Sequence, residues 1–170
     1  MYIWDMMRPQ DIVILLKLVS LKDKPWQYRD LSADLFIPLS EISASLKRSE
    51  KAGLYHAQVR NVHRLALMEF IQYGLKFVFP TSPGAMVTGS GTAHSHPYYK
   101  GFFQAEMQYA WPDEEGNIRG LMIEPLYPNV PKAARKDELL YKLLASIDIL
   151  RVGKVRELKM AMDELKKAIL

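Results

Sequence analysis

The sequence predicts an α+β fold, mainly helical with a small β component, and two observations carry that prediction. Apolar residues recur at helical spacing in the first part of the chain and again towards its end. Between these parts, five of the ten prolines (Pro97, Pro112, Pro125, Pro128 and Pro131) fall between 97 and 131, and Gly84, Gly89 and Gly91 sit in a Thr/Ser-rich stretch just before them. Proline and glycine at that density leave room for turns and short strands but not for long helices. The 170 residues are 49% apolar and 25% charged, which supplies a sizeable core and excludes disordered and fibrous classes.

Residues 9–21 read as a first helix. Pro9 suits a first-turn position, Asp11 favours the positive end of the helix dipole, and Ile12, Leu15, Leu16 and Val19 form one apolar stripe. Lys22, Asp23, Lys24 and Pro25 interrupt it. Trp26 packs where a short second helix begins, over roughly 27–35, supported by Tyr28, Leu31, Ala33 and Leu35. Phe36, Ile37 and Pro38 link to a third helix at 39–52 with Ile42, Leu46 and Ser49 inward, and Gly53 stops it. Leu54 to Val59 can begin a hairpin, but Leu65 to Ile71 is helical in character and Gly74 ends it. A displaced hairpin is therefore expected from a strand at 75–79, a turn at 80–84 and a return strand at 85–88. Ile118 to Ile123 reads as a short strand interrupted by Gly120. Lys136 to Arg151 and Lys154 to Leu170 read as two amphipathic helices parted by Gly153, the first carrying Leu139, Leu140, Leu143, Leu144, Ile147 and Leu150, the second Val155, Leu158, Met162, Leu165 and Ile169.

With no cysteine in the chain, disulfide frameworks, cysteine-held iron–sulfur clusters, zinc ribbons and thiol nucleophiles are excluded. Met1-Tyr2-Ile3-Trp4-Asp5 has neither the basic start nor the apolar run of a secretory leader, and no window reaches the ~18 apolar residues of a membrane span. A cytoplasmic protein without membrane contact is expected. Net charge is +4, distributed as 11 basic against 8 acidic residues over 1–80, 2 against 5 over 81–130 and 10 against 6 over 131–170. Two basic parts thus flank an acidic middle, a modest balance compatible with nucleic acid.

The stretch from Tyr28 to Arg48, closed by Glu50-Lys51-Ala52-Gly53-Leu54, resembles the winged helix-turn-helix transcriptional regulators of prokaryotes, especially their MarR-like members. Small, apolar and polar positions fall in register: Ala33 sits where that family lets the next helix cross closely, Ile42 and Leu46 anchor the second helix, and Ala52-Gly53-Leu54 matches the turn out of it. The resemblance implies a winged helix-turn-helix domain at 1–88, an aromatic and Pro-rich middle segment at 89–131, and a C-terminal helical pair at 132–170 as a candidate dimerisation region. It further implies sequence-specific binding of double-stranded DNA, with the recognition helix at about 39–52 in the major groove, where side chains distinguish base pairs. Ser40, Ser43, Ala44 and Lys47 are the candidates for the groove face, and Arg48, Lys51 and Arg60 for phosphate contact. A homodimer is implied by the terminal helices, since two-fold symmetry places two reading helices on neighbouring half-sites; the same apolar stripes can instead close a core within the chain. Residues 92–94, 125–128 and 147–157 are also similar to stretches of bacterial and archaeal MarR-like proteins. Some of those are partnered with nucleotidyltransferase-like proteins, which implies an adaptor or antitoxin-like role with a protein partner as the alternative to DNA binding.

No enzyme is expected. His94 and His96 form one pair, and Glu106, Asp113, Glu114 and Glu115 have no ligand spacing towards them, so no metal is predicted. Gly89-Ser90-Gly91 lacks the glycine and lysine positions of a phosphate-binding loop, and no nucleophile constellation stands out, so no cofactor is predicted either. Tyr98, Tyr99, Phe102, Phe103, Tyr109 and Trp111 favour packing over a ligand pocket. Arg151, Lys154, Arg156 and Lys159 cluster at the last interhelical joint, where a solvated surface is the first reading and a wider phosphate footprint the second.

Overall fold

The computed structural model describes residues 6–170; residues 1–5, on which the expectation about a secretory leader rests, lie outside them. The chain runs α1 (Pro9–Ser20), α2 (Tyr28–Leu35), α3 (Leu39–Lys51), β1 (Tyr55–His56), β2 (Asn61–Val62), α4 (Arg64–Tyr73), α5 (Leu75–Val78), β3 (Met86–Gly91), α6 (Pro97–Lys100), β4 (Tyr109–Pro112), β5 (Ile118–Met122), α7 (Val130–Lys136), α8 (Glu138–Val152) and α9 (Val155–Ile169). It is mainly helical with a small sheet, compatible with an α+β class. No helix among the described residues is long and apolar enough to cross a membrane.

Helix α1 is the axis of the core. Its residues Asp11 to Val19 are all buried, because α2 and α3 pack against it and so do α8 and α9. Two of the buried residues are polar and join it to its neighbours. The Asp11 carboxylate accepts from the Arg8 backbone N–H at 2.8 Å, capping the helix, and also from Arg48 Nε and Nη2 of α3 at 2.9 and 2.7 Å. Lys17 Nζ lies 2.9 Å from Asp137 and 3.4 Å from Asp34. Asp137 also accepts from Ser20 Oγ at 2.7 Å and caps α8 through the Leu140 N–H at 2.9 Å. These bonds hold its carboxyl below its ordinary value against the opposing effect of burial.

The turn from α2 to α3 is closed by Phe36 in the left-handed region (φ 55°), with the Ile37 N–H bonded to Ser32 O at 3.3 Å. Leu31 and Leu35 make the buried face of α2. Ala33, expected at the helix crossing, is instead exposed, and its carbonyl accepts from Lys136 Nζ at 3.3 Å. The turn is also tied to the second half of the chain: the Tyr127 hydroxyl donates to Leu35 O, and Asn129 Nδ2 to Phe36 O at 3.1 Å. Gly53 (φ 78°) ends α3, with Leu54 N–H bonded to Ser49 O at 2.9 Å, a left-handed closure that favours glycine.

The hairpin expected at 75–88 lies earlier. β1 and β2 pair antiparallel directly after α3, Tyr55 opposite Val62 and His56 opposite Asn61. Residues 75–78 form α5, the Phe79 N–H bonds to Leu75 O at 2.8 Å, and Phe79 packs edge-on against Phe70. The helical turn that begins after Gly74 satisfies these backbone groups locally, so no strand forms there. β3 finds its partners downstream instead. It pairs antiparallel with β4 and with β5, while β4 and β5 pair in parallel, so three short strands close on themselves. Gly89 and Gly120 make this closure sterically feasible. A Cβ on Gly89 would lie 1.8 Å from Trp111 O, and one on Gly120 would lie 2.7 Å from Gln108 O. Gly120 thus sits within a continuous β5 and does not interrupt it, and the boundary expected at 88/89 falls inside β3.

The helix expected from Lys136 begins at Glu138 as α8, because Asp137 leaves helical conformation (φ −149°) to cap it; the separate helix α7 that ends at Lys136 was not expected from the sequence. α8 and α9 form an antiparallel hairpin about Gly153, joined by Lys142–Glu164, two residues equidistant in sequence from that glycine. Their apolar faces are used within the chain, α8 against α1 and α9 against α4 and α8, so Leu140, Leu143, Ala161, Leu165 and Ile169 belong to one continuous core.

Candidate nucleic-acid interface

At 100° per residue, Ser40, Ser43, Ala44, Lys47 and Lys51 fall on one stripe of α3. Ile42, Ser45, Leu46 and Ser49 fall on the opposite one and are buried. Ser40, Lys47 and Lys51 are exposed and Ser43 and Ala44 half-buried, with Leu39 (52% exposed) at the leading end. Five of the seven residues selected from sequence therefore share a solvent-facing surface.

Arg48 does not. Only 6% of its side chain is exposed, and its guanidinium forms a two-point pair with the fully buried Asp11. The Asp11 carboxylate raises the Arg48 pKa despite the opposing effect of burial. Lying at the flank of the stripe beside Glu41, Arg48 faces α1, so a phosphate role is withdrawn and its function is to lock α3 onto α1. Glu41 is engaged on the same side by Gln10 at 2.9 Å and by Arg8 at 3.5 Å.

Arg60 occupies the hairpin loop in the left-handed region (φ 52°). It is exposed but folded back: its guanidinium lies 4.2 Å from the centre of the Trp26 ring and donates to Trp26 O at 2.9 Å. Trp26 in turn stacks on Tyr28, with ring centres 6.0 Å apart and nearly parallel. Arg60 is thus the cationic end of a clamp fixing the hairpin to the start of α2. Gln58 and Val59 stand exposed beside it. The Trp26 contact was foreseeable only as packing; its partner lies 34 residues away, beyond any local signal.

The remaining candidates resolve into structural roles. His94 Nε2 lies 2.7 Å from Met107 O, and His96 Nδ1 accepts from the Tyr98 N–H at 3.1 Å. Burial, and secondarily the charge of Lys142, lowers the His96 pKa to about 4. No group of three or more metal-ligating side chains occurs among the described residues. In the aromatic segment, Tyr99 and Trp111 are core, the former bonded to Ser146 Oγ at 2.6 Å, while Phe102 is exposed.

Arg151, grouped from sequence with Lys154, Arg156 and Lys159, turns inward. It bonds Phe79 O, Glu124 O and Asp148 at 3.0, 3.2 and 3.0 Å, whereas the other three basic residues are exposed. Asp148 is fully enclosed and also accepts from Thr92 Oγ1 at 2.6 Å and Trp111 Nε1 at 2.7 Å. Burial pushes its carboxyl above the ordinary value, offset in part by Arg151 and these two donors. The sequence reading missed this centre, which pins Thr92, just after β3, and Trp111 of β4 to α8. Its signal is an acid and a base at i and i+3 among the apolar residues Ile147, Ile149, Leu150 and Val152 at the end of α8. Compared with protein-family models, curated proteins and solved structures, the chain finds no match.

Proposed function

We propose that α1–α3 and the β1–β2 hairpin form a winged helix-turn-helix module that binds double-stranded DNA, with α3 in the major groove, and that the protein is a cytoplasmic, non-catalytic transcriptional regulator of MarR-like kind. The observation that carries this reading is the exposed stripe Ser40, Ser43, Ala44, Lys47 and Lys51 on a helix whose other side is anchored, followed directly by a short hairpin. Serine hydroxyls and lysine amines reach base edges, and Lys47 and Lys51 also reach phosphates. The buried Arg48–Asp11 pair sets the angle at which α3 is presented.

A homodimer belongs to this reading, since two copies of α3 about 34–36 Å apart would read a palindromic site. The inward faces of α8 and α9 are already occupied, so the seam would draw on exposed apolar residues such as Leu65, Tyr73, Phe77 and Val78 around α4 and α5. The same patch favours the second reading, a protein-interaction adaptor or antitoxin-like partner. Binding to genomic fragments that include the gene's own upstream region, followed by anisotropy across a salt series, tests the proposal. Saturable, salt-sensitive binding weakened by K47A supports it; stable co-purification of a protein partner with no saturable DNA binding favours the adaptor.

A further inference from the structure

The end of α1, the start of α4 and the facing sides of α8 and α9 line a cleft of about 300 Å³ that is open to solvent on one side, at the small end of ligand pockets, which run ~300–1,000 Å³. Its inner wall is apolar, contributed by the buried Val19 and Leu143 and the half-buried Ala168. Four cations surround it: Lys22, Arg64, Lys142 and Lys167. The one carboxylate in the lining, Glu164, already accepts from Lys142, from Lys167 at 3.1 Å and from the Tyr98 hydroxyl at 3.1 Å. Arg64 uses a single donor on Ile169 O at 3.2 Å, leaving most of a five-donor fork to point elsewhere. Lys22 and Lys167 are exposed, so positive charge lies on the solvent side and hydrocarbon on the inner side.

We propose that this cleft binds a small monocarboxylate with an apolar body, the hydrocarbon lying against Val19, Leu143 and Ala168 and the carboxylate meeting Arg64 and Lys22. An excess of cations over acids around a cleft favours an anion, and the apolar wall favours one that is not wholly polar. The volume selects a small molecule over a macromolecular segment. The inference does not depend on DNA binding.

Titration of the full chain with hexanoate and with benzoate, read by calorimetry and by the shift in Tm, tests it, with hexanamide and inorganic phosphate as controls. The expected result is saturable one-to-one binding of at least one carboxylate, at least tenfold weaker binding of hexanamide and no competition from phosphate. The K22Q/R64Q double variant should lose affinity tenfold or more. Ala168→Phe should abolish binding with an unchanged circular dichroism spectrum. Absence of binding by both carboxylates, equal binding of hexanamide, displacement by phosphate, or full affinity in K22Q/R64Q would overturn the proposal. The double variant decides the matter should Ala168→Phe fail to fold.

Discussion

Two neighbouring basic residues on α3 have opposite roles, and burial decides which. Lys47 is exposed on the outer stripe, so Lys47→Ala should change folding stability by less than about 0.5 kcal/mol. Arg48→Ala would leave the enclosed Asp11 carboxylate without its counter-charge and should cost about 3–5 kcal/mol in urea unfolding, while the double change Asp11→Asn with Arg48→Met should recover much of that loss. His96 offers a second residue-scale outcome. Its ordinary pKa is 6.5 and its folded pKa about 4, so between these values the unfolded chain binds a proton that the folded chain refuses. Stability should therefore fall as pH drops from about 6.5 to 4 and level off below, with a total loss of about 3 kcal/mol. His96→Gln should flatten that part of the stability profile, and protonation of Nδ1 would also remove the acceptor of the Tyr98 N–H. At this scale the sequence was legible only where periodicity applies. Helical spacing separated Ser40, Ser43, Ala44, Lys47 and Lys51 from Ile42 and Leu46, but it could not reveal Asp11 as the partner of Arg48, because that pairing is made by tertiary packing.

The helices were readable to within a residue or so where capping and stop signals agreed with the apolar stripe, as at Pro9, Asp11 and Gly53. The hairpins were not. β1 and β2 have two residues each, too few for alternation to show, and the hairpin is secured by Trp26 and Arg60 far apart in the chain. Trp26→Ala should therefore release Arg60 and raise amide exchange across residues 55–62 while leaving exchange in α8 unchanged, measured by native-state hydrogen exchange. At 75–79, β-prone Phe and Val misled the strand reading because Gly74 opens a new helical turn in which those backbone groups bond locally. β3 escaped its true pairing for a related reason: its partners follow it at 109–112 and 118–122, and the glycines that look like breaks are the places where backbones approach.

Across the whole molecule, α1 is shared by α2 and α3 and by the α8–α9 hairpin, and Lys17 and Asp137 bind the two parts together. One cooperative unfolding transition is expected, with calorimetric and van't Hoff enthalpies equal, and truncation before α8 should abolish the folded state and not release an independent N-terminal domain. The three segments visible in composition are thus parts of one core, a property that charge and proline counts cannot show. In the proposed function, α3 presents Lys47 to DNA from this frame. The most direct test of that role is the dependence of DNA affinity on salt for Lys47→Ala beside Arg119→Ala, an exposed cation on β5. The slope of log Kobs against log salt should become shallower by about one for Lys47→Ala and stay unchanged for Arg119→Ala; equal slopes for both variants, or no saturable binding by the parent protein, would contradict the account.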